Sequence, residues 1–122
     1  MNNSLLKIGL MALTMMMGLA GSAKADFLTG NDLRLYCASK NPSDDAICIV
    51  YITGAFDAFT TGDLIAQKTS ASEAQFCPPE DVNPEQLKAT MVAYLEREET
   101  NLNFAATLLV LGAMTDIYGC KP

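Results

Sequence analysis

The sequence predicts an all-α protein, a small four- to five-helix bundle tied by two disulfides. Three observations predict it. Apolar residues recur at steps of three and four through most of the chain, capping signals cut it into helix-length pieces, and four cysteines fall at wide spacings.

The first 25 residues stand apart from that pattern. Lys7 supplies a short positive segment, residues 8–20 form a nearly unbroken apolar run of 13, and Ala23-Lys24-Ala25 is a cleavage site of small residues. This is the signature of a secretory signal peptide, removed after Ala25, which leaves residues 26–122 as one domain starting at Asp26. The run is shorter than the roughly 20 residues that cross a bilayer, so cleavage is expected rather than a membrane anchor. No cysteine follows it closely to carry a lipid. The mature protein is therefore expected outside the cytoplasm, in the periplasm.

Cleavage also changes the composition. Five of the seven methionines leave, and six basic residues then face fourteen acidic ones, a net charge of −8. Such a chain repels nucleic acid and anionic lipid, and neither is expected as a partner. It is instead suited to steering toward a basic protein, although solubility alone also explains an acidic surface. A domain of 97 residues buries only roughly 60–70% of its unfolded surface, so cross-links matter to its stability.

The helices follow in order. Thr29-Gly30-Asn31-Asp32 reads as an N-cap with an acid at the third helical position, followed by Leu33, Tyr36 and Cys37 at helical spacing. Asn41-Pro42-Ser43 stops that helix, and Ser43 is expected to cap a second that opens with Asp44 and Asp45. Its stripe of Ile47, Val50, Tyr51, Gly54, Ala55, Ala58 and Phe59 predicts one buried face. The β-branched residues there admit a strand, but the run is too long without a turn signal. Residues 60–81 are the least regular part, where Leu64, Ile65 and Ala66 extend the helix or form a separate turn. Asn83-Pro84-Glu85-Gln86 is the best local start signal, with Leu87, Met91, Tyr94 and Leu95 as its inner face. After a charged break at residues 96–99, Thr100 or Asn101 is expected to start the last helix. That helix carries Phe104, Ala105, Leu108, Leu109, Leu111 and Ile117, and ends at Tyr118-Gly119-Cys120. Four antiparallel helices around one core fit these lengths.

An even number of cysteines in an exported small domain reads as disulfides. A zinc site is the competing reading, but the chain has no histidine and no C-x-x-C pair. Of three possible pairings, Cys37–Cys48 with Cys77–Cys120 is expected, because the first brackets the turn at residues 39–43 and the second ties the middle of the chain to its end. On the chain-entropy model the loops contribute roughly 3 and 4 kcal/mol.

Catalytic chemistry is sparse. Without histidine there is no Ser-His or Cys-His pair, and no GxGxxG or phosphate loop is present. The carboxylate groups Asp44 with Asp45, and Glu96 with Glu98 and Glu99, sit where helix dipole and solvation explain them. No enzyme activity, cofactor or metal is expected.

Several segments carry a resemblance. Phe27-Leu28-Thr29-Gly30-Asn31-Asp32-Leu33 with Cys37, then Cys48-Ile49-Val50-Tyr51-Ile52-Thr53-Gly54-Ala55-Phe56-Asp57-Ala58, resemble the Rap/Tai family. So do Phe76-Cys77-Pro78-Pro79-Glu80-Asp81-Val82 with Gln86-Leu87, and Tyr94-Leu95 ahead of Tyr118-Gly119-Cys120. The likeness covers essentially the whole mature chain. It implies an all-helical fold, two disulfides, frequent homodimers and tight inhibition of a peptidoglycan-cleaving amidase toxin of a type VI secretion system. The chain departs from the family in lacking a proline before the last helix, where Glu98-Glu99-Thr100 stands, and another before the final cysteine, where Gly119 stands.

Two surfaces are candidates for meeting such a partner. Glu96, Glu98, Glu99 and Asn101 read as a protruding loop able to enter a cleft, against the simpler account of a solvated turn. Residues 61–75, with Asp63, are a second. Tyr51 and Gly54 are better explained by packing, Gly54 admitting a neighbouring helix and Tyr51 lying beside the first disulfide. Two functions of different class remain: an immunity protein that occludes an enzyme, and a periplasmic ligand-binding or chaperone-like protein without a toxin partner. An adjoining toxin gene distinguishes them.

Overall fold

The described residues form four helices, three of them with side-chain caps at their start: α1 (Gly30–Ala38), α2 (Pro42–Ser70), α3 (Pro84–Leu95) and α4 (Ala106–Tyr118). The computed structural model describes residues 28–122, so the signal peptide and its cleavage after Ala25 lie outside the described residues. The Thr29–Asp32 and Asn83–Gln86 capping boxes both form, each with side chain and backbone satisfied reciprocally. Asn41, not Ser43, caps α2. Its side chain accepts from the Ser43 amide at 2.8 Å, and Pro42 takes the first helical position, where its missing N–H costs nothing.

Each helix touches the other three. Leu33 and Cys37 from α1, Cys48 and Ile52 from α2, and Leu87, Met91 and Leu95 from α3 meet Ala106, Leu109, Val110, Ala113 and Met114 from α4. The inner faces of α1 and α3 are those read from the sequence. Those of α2 and α4 are so only in part. Tyr51, Ala55 and Phe59 pack inward and Leu109 is buried, but Ile47, Val50, Leu108, Ile117 and Phe104 are exposed, and Cys48, Ile52 and Phe56 of α2 turn inward as well. Gly54 is likewise exposed, with no side chain near it, so among the described residues no helix approaches there. Tyr51 is half-buried against the core.

Two further expectations are corrected. Residues 61–70 are not irregular: Leu64, Ile65 and Ala66 extend the helix, the first of the two readings offered, within the last three turns of α2, which ends at Ala71 in the left-handed conformation, φ 51°. The final helix begins at Ala106, not at Thr100 or Asn101. Its N-cap, Ala105, offers no side chain, and the Ala106 amide donates instead to the Leu28 carbonyl at 2.8 Å.

The disulfides are Cys37–Cys48 and Cys77–Cys120, as expected. The first joins α1 to α2 inside the core. The second sits beside a single antiparallel bridge between Phe76 and Gly119, where the Cys77 amide donates to Tyr118 at 2.7 Å and the Cys120 amide to Gln75 at 3.0 Å.

Candidate functional site

Residues 96–105 join α3 to α4, and their backbone is held from both sides. On one side, Thr100 Oγ1 donates to the Tyr94 carbonyl at 2.8 Å, and the Asn103 amide donates to Asn101 Oδ1 at 3.0 Å. Arg97 lies over the Tyr94 ring, 4.8 Å from its centre, and its guanidinium pairs with Asp116 at 2.7 Å. On the other side, α1 reaches across. Asn31 Nδ2 donates to the Leu102 carbonyl and to Asn103 Oδ1, both at 3.2 Å, and the Gly30 amide donates to Phe104 at 2.9 Å. A Cβ at Gly30 would collide with the Leu109 side chain and stand 2.9 Å from the Leu102 carbonyl oxygen, so this approach requires glycine.

That ordered base carries the charge. Glu96, Glu98, Glu99 and Asn101 are all exposed, which a solvated turn shares with a protruding loop. Arg97, the one cation among them, is engaged by Asp116, so the surface presented is negative. Phe104 sits beside them, 55% exposed. It lines a cavity of about 300 Å³ with Glu99, Asn101, Arg97 and Asp116. Sequence periodicity had placed Phe104 on the last helix, which begins two residues after it. The available signal was its place next to Asn101 and Asn103, a polar context that suits a loop.

Asp63 belongs to a different arrangement. Its carboxylate accepts from the Gln75 amide at 3.0 Å, the Phe76 amide at 3.2 Å and the Gln67 side chain at 3.2 Å. No hydrogen bond joins it to residues 96–101 among the described residues. It fastens the segment after α2 back onto that helix, upstream of Cys77.

Two side chains have shifted acidities. The Thr29 hydroxyl and amide hold the Asp32 carboxyl below its ordinary value, and burial pushes the Tyr51 phenol up against the opposing pull of Thr107. The first reports on the helix cap and the second on packing. All four cysteines are consumed in disulfides, and among the described residues no group of three acidic, cysteine or histidine side chains is placed to hold a metal ion.

A family model described as Rap1a immunity proteins matches residues 29–120. The chain belongs to the Rap1a immunity protein family. The matched region begins at the Thr29 cap and ends at Cys120, so it takes in all four helices, both disulfides and the acidic loop. Comparison with curated proteins and with solved structures gave no match. Membership in the Rap1a family points to an immunity protein whose partner is a secreted effector. The two disulfides fit an exported protein.

Proposed function

We propose that this protein is a periplasmic immunity protein that binds and occludes a peptidoglycan-cleaving amidase toxin of a type VI secretion system. The observation that carries the reading is the match to the Rap1a immunity family over residues 29–120. The loop at residues 96–105 supplies the means. Its backbone is already fixed, so binding costs it little ordering entropy. Glu98 and Glu99 offer charge to basic groups around a cleft, and Phe104 offers an aromatic anchor beside them. The chain acts by covering the enzyme, not by chemistry of its own.

Export follows the signal peptide, cleaved after Ala25, and brings the protein to the wall its partner attacks. Asp63 is a positioning residue for the segment at 71–76 in this account, and Glu96, Glu98, Glu99 and Asn101 carry the contact. The protein works as a homodimer. Co-expression in the periplasm with the amidase encoded beside its gene tests the function: cells survive if the reading holds. Lysis despite abundant folded protein would falsify it and favour a ligand-binding or chaperone role.

A further inference from the structure

The first turn of α1 has amides that its own cap does not use. Thr29 takes the Asp32 amide on its side chain and the Leu33 amide on its carbonyl. The Gly30 and Asn31 amides have no carbonyl of the helix ahead of them and donate outward, to Phe104 at 2.9 Å and to Leu102 at 3.0 Å. The Asn31 side chain reinforces this. Its Nδ2 donates to the same Leu102 carbonyl and to Asn103 Oδ1, both at 3.2 Å. Thr29 and Ala105 form an antiparallel bridge, and the Ala106 amide donates to Leu28. Residues 28–31 therefore run along residues 102–106 and hold them.

Phe104 is placed by that pairing. Its carbonyl accepts from Gly30 and its amide donates to Asn101 at 3.2 Å, so its backbone is fixed while its ring stands 55% exposed. Asn103 beside it is tied by its side chain to Asn31 and by its amide to Asn101. Leu102 packs on the core.

We propose that Asn31 is a positioning residue for effector binding, holding Asn101 and Phe104 in the arrangement the effector meets. The proposal rests on the reading of residues 96–105 as the contact surface, and adds a residue outside the loop that controls it. The fold itself does not need this side chain. Thr29 and Asp32 cap α1, and Leu33, Cys37 and the first disulfide anchor it. Asn31 lies outside the buried core, and asparagine is a poorer helix former than alanine. Among the described residues, every hydrogen bond of its side chain goes to the loop. Without that side chain the loop stays attached through backbone amides but samples other arrangements. The effector then meets a competent loop only part of the time, and apparent affinity falls by that fraction. Such a loss appears in association, because the complex once formed keeps its contacts. Removing a contact, as in Phe104→Ala, acts on dissociation instead.

Rates of association and dissociation with the amidase encoded beside the gene test this. Asn31→Ala is expected to slow association about tenfold, as for the loss of one or two hydrogen bonds, with dissociation and melting temperature close to wild type. Asn31→Asp keeps the shape but faces the Leu102 carbonyl with an acceptor. It is expected to slow association at least as much, although added negative charge alone would speed approach to a basic partner. Asp63→Ala, which weakens the fold elsewhere in the chain, is expected to keep wild-type rates. Equal association rates for wild type and Asn31→Ala overturn the proposal. So does a loss confined to dissociation, which makes Asn31 a contact, or an equal slowing in Asp63→Ala, which reduces the effect to stability. In each of those cases the complex still forms and the reading of the loop stands. A wild type that forms no complex overturns that reading and this proposal together.

Discussion

Asp63 binds the backbone of Gln75 across twelve residues, with both carboxylate oxygens 3.0 Å from its amide. One side chain thereby turns the chain back at the end of α2 and delivers Cys77 to Cys120. Replacing it with alanine frees two backbone amides, one of them on half-buried Phe76, and is expected to cost about 1–3 kcal/mol. Chemical denaturation measures that loss. Effector affinity of the folded variant should be unchanged. A variant as stable as wild type that binds its effector poorly would instead place Asp63 in the contact.

Ala71 ends α2 with φ 51°, a conformation that costs an L-residue with a Cβ roughly 1–2 kcal/mol. Ala71→Gly removes that cost but loosens the unfolded chain, so a net gain of up to about 1 kcal/mol is expected. A lower midpoint in thermal unfolding would contradict the left-handed cap.

The fold was legible where the signals were local. Both capping boxes lie within four residues, and in α1 and α3 the residues read as the inner face, Leu33, Cys37, Leu87, Met91 and Leu95, are the buried ones. In α2 and α4 periodicity misled, because both helices are apolar on more than one side. The stripe read for α2 merged two regular sets, Ile47-Val50-Gly54-Ala58 and Tyr51-Ala55-Phe59, and only packing decides that the second turns inward, with Cys48 and Ile52. The start of α4 was hidden for a different reason. Its first amide is satisfied by Leu28, far back in the chain, so Ala105 needs no capping side chain. The acidic loop was readable as composition. The grip of Asn31 and Arg97 that orders it was not, since each reaches a residue distant in sequence.

The Thr29–Asp32 box makes stability depend on pH with a definite sign. Asp32 is held below 3.8 in the folded protein, so its contribution is complete above the unfolded value and is lost as pH falls through the folded one. Asp32→Asn is therefore expected to lower the melting temperature at neutral pH. The gap from wild type narrows as pH drops below 3.8. A gap that widens in acid would show that some other group carries the dependence.

The two disulfides differ in access. Cys48 is fully buried and Cys37 is 7% exposed, whereas Cys77 lies at the surface. A thiolate must reach sulfur to exchange, so Cys77–Cys120 is expected to reduce first, leaving a species that keeps Cys37–Cys48. Opening it removes a loop closure worth roughly 4 kcal/mol on the chain-entropy model. Mass mapping after partial reduction and alkylation identifies the order. Early labelling of Cys37 and Cys48 would contradict it.

The central claim is that residues 96–105 present charge and an aromatic anchor to an amidase. Calorimetric titration of the mature protein into the amidase encoded beside its gene tests it most directly, with wild type, Glu98→Lys/Glu99→Lys and Phe104→Ala compared. The account predicts a saturable complex for the wild type. It predicts a loss of at least ~2 kcal/mol for the double charge reversal and about as much for Phe104→Ala, with helicity unchanged in both. No complex with the wild type, or equal affinity for all three proteins, contradicts it.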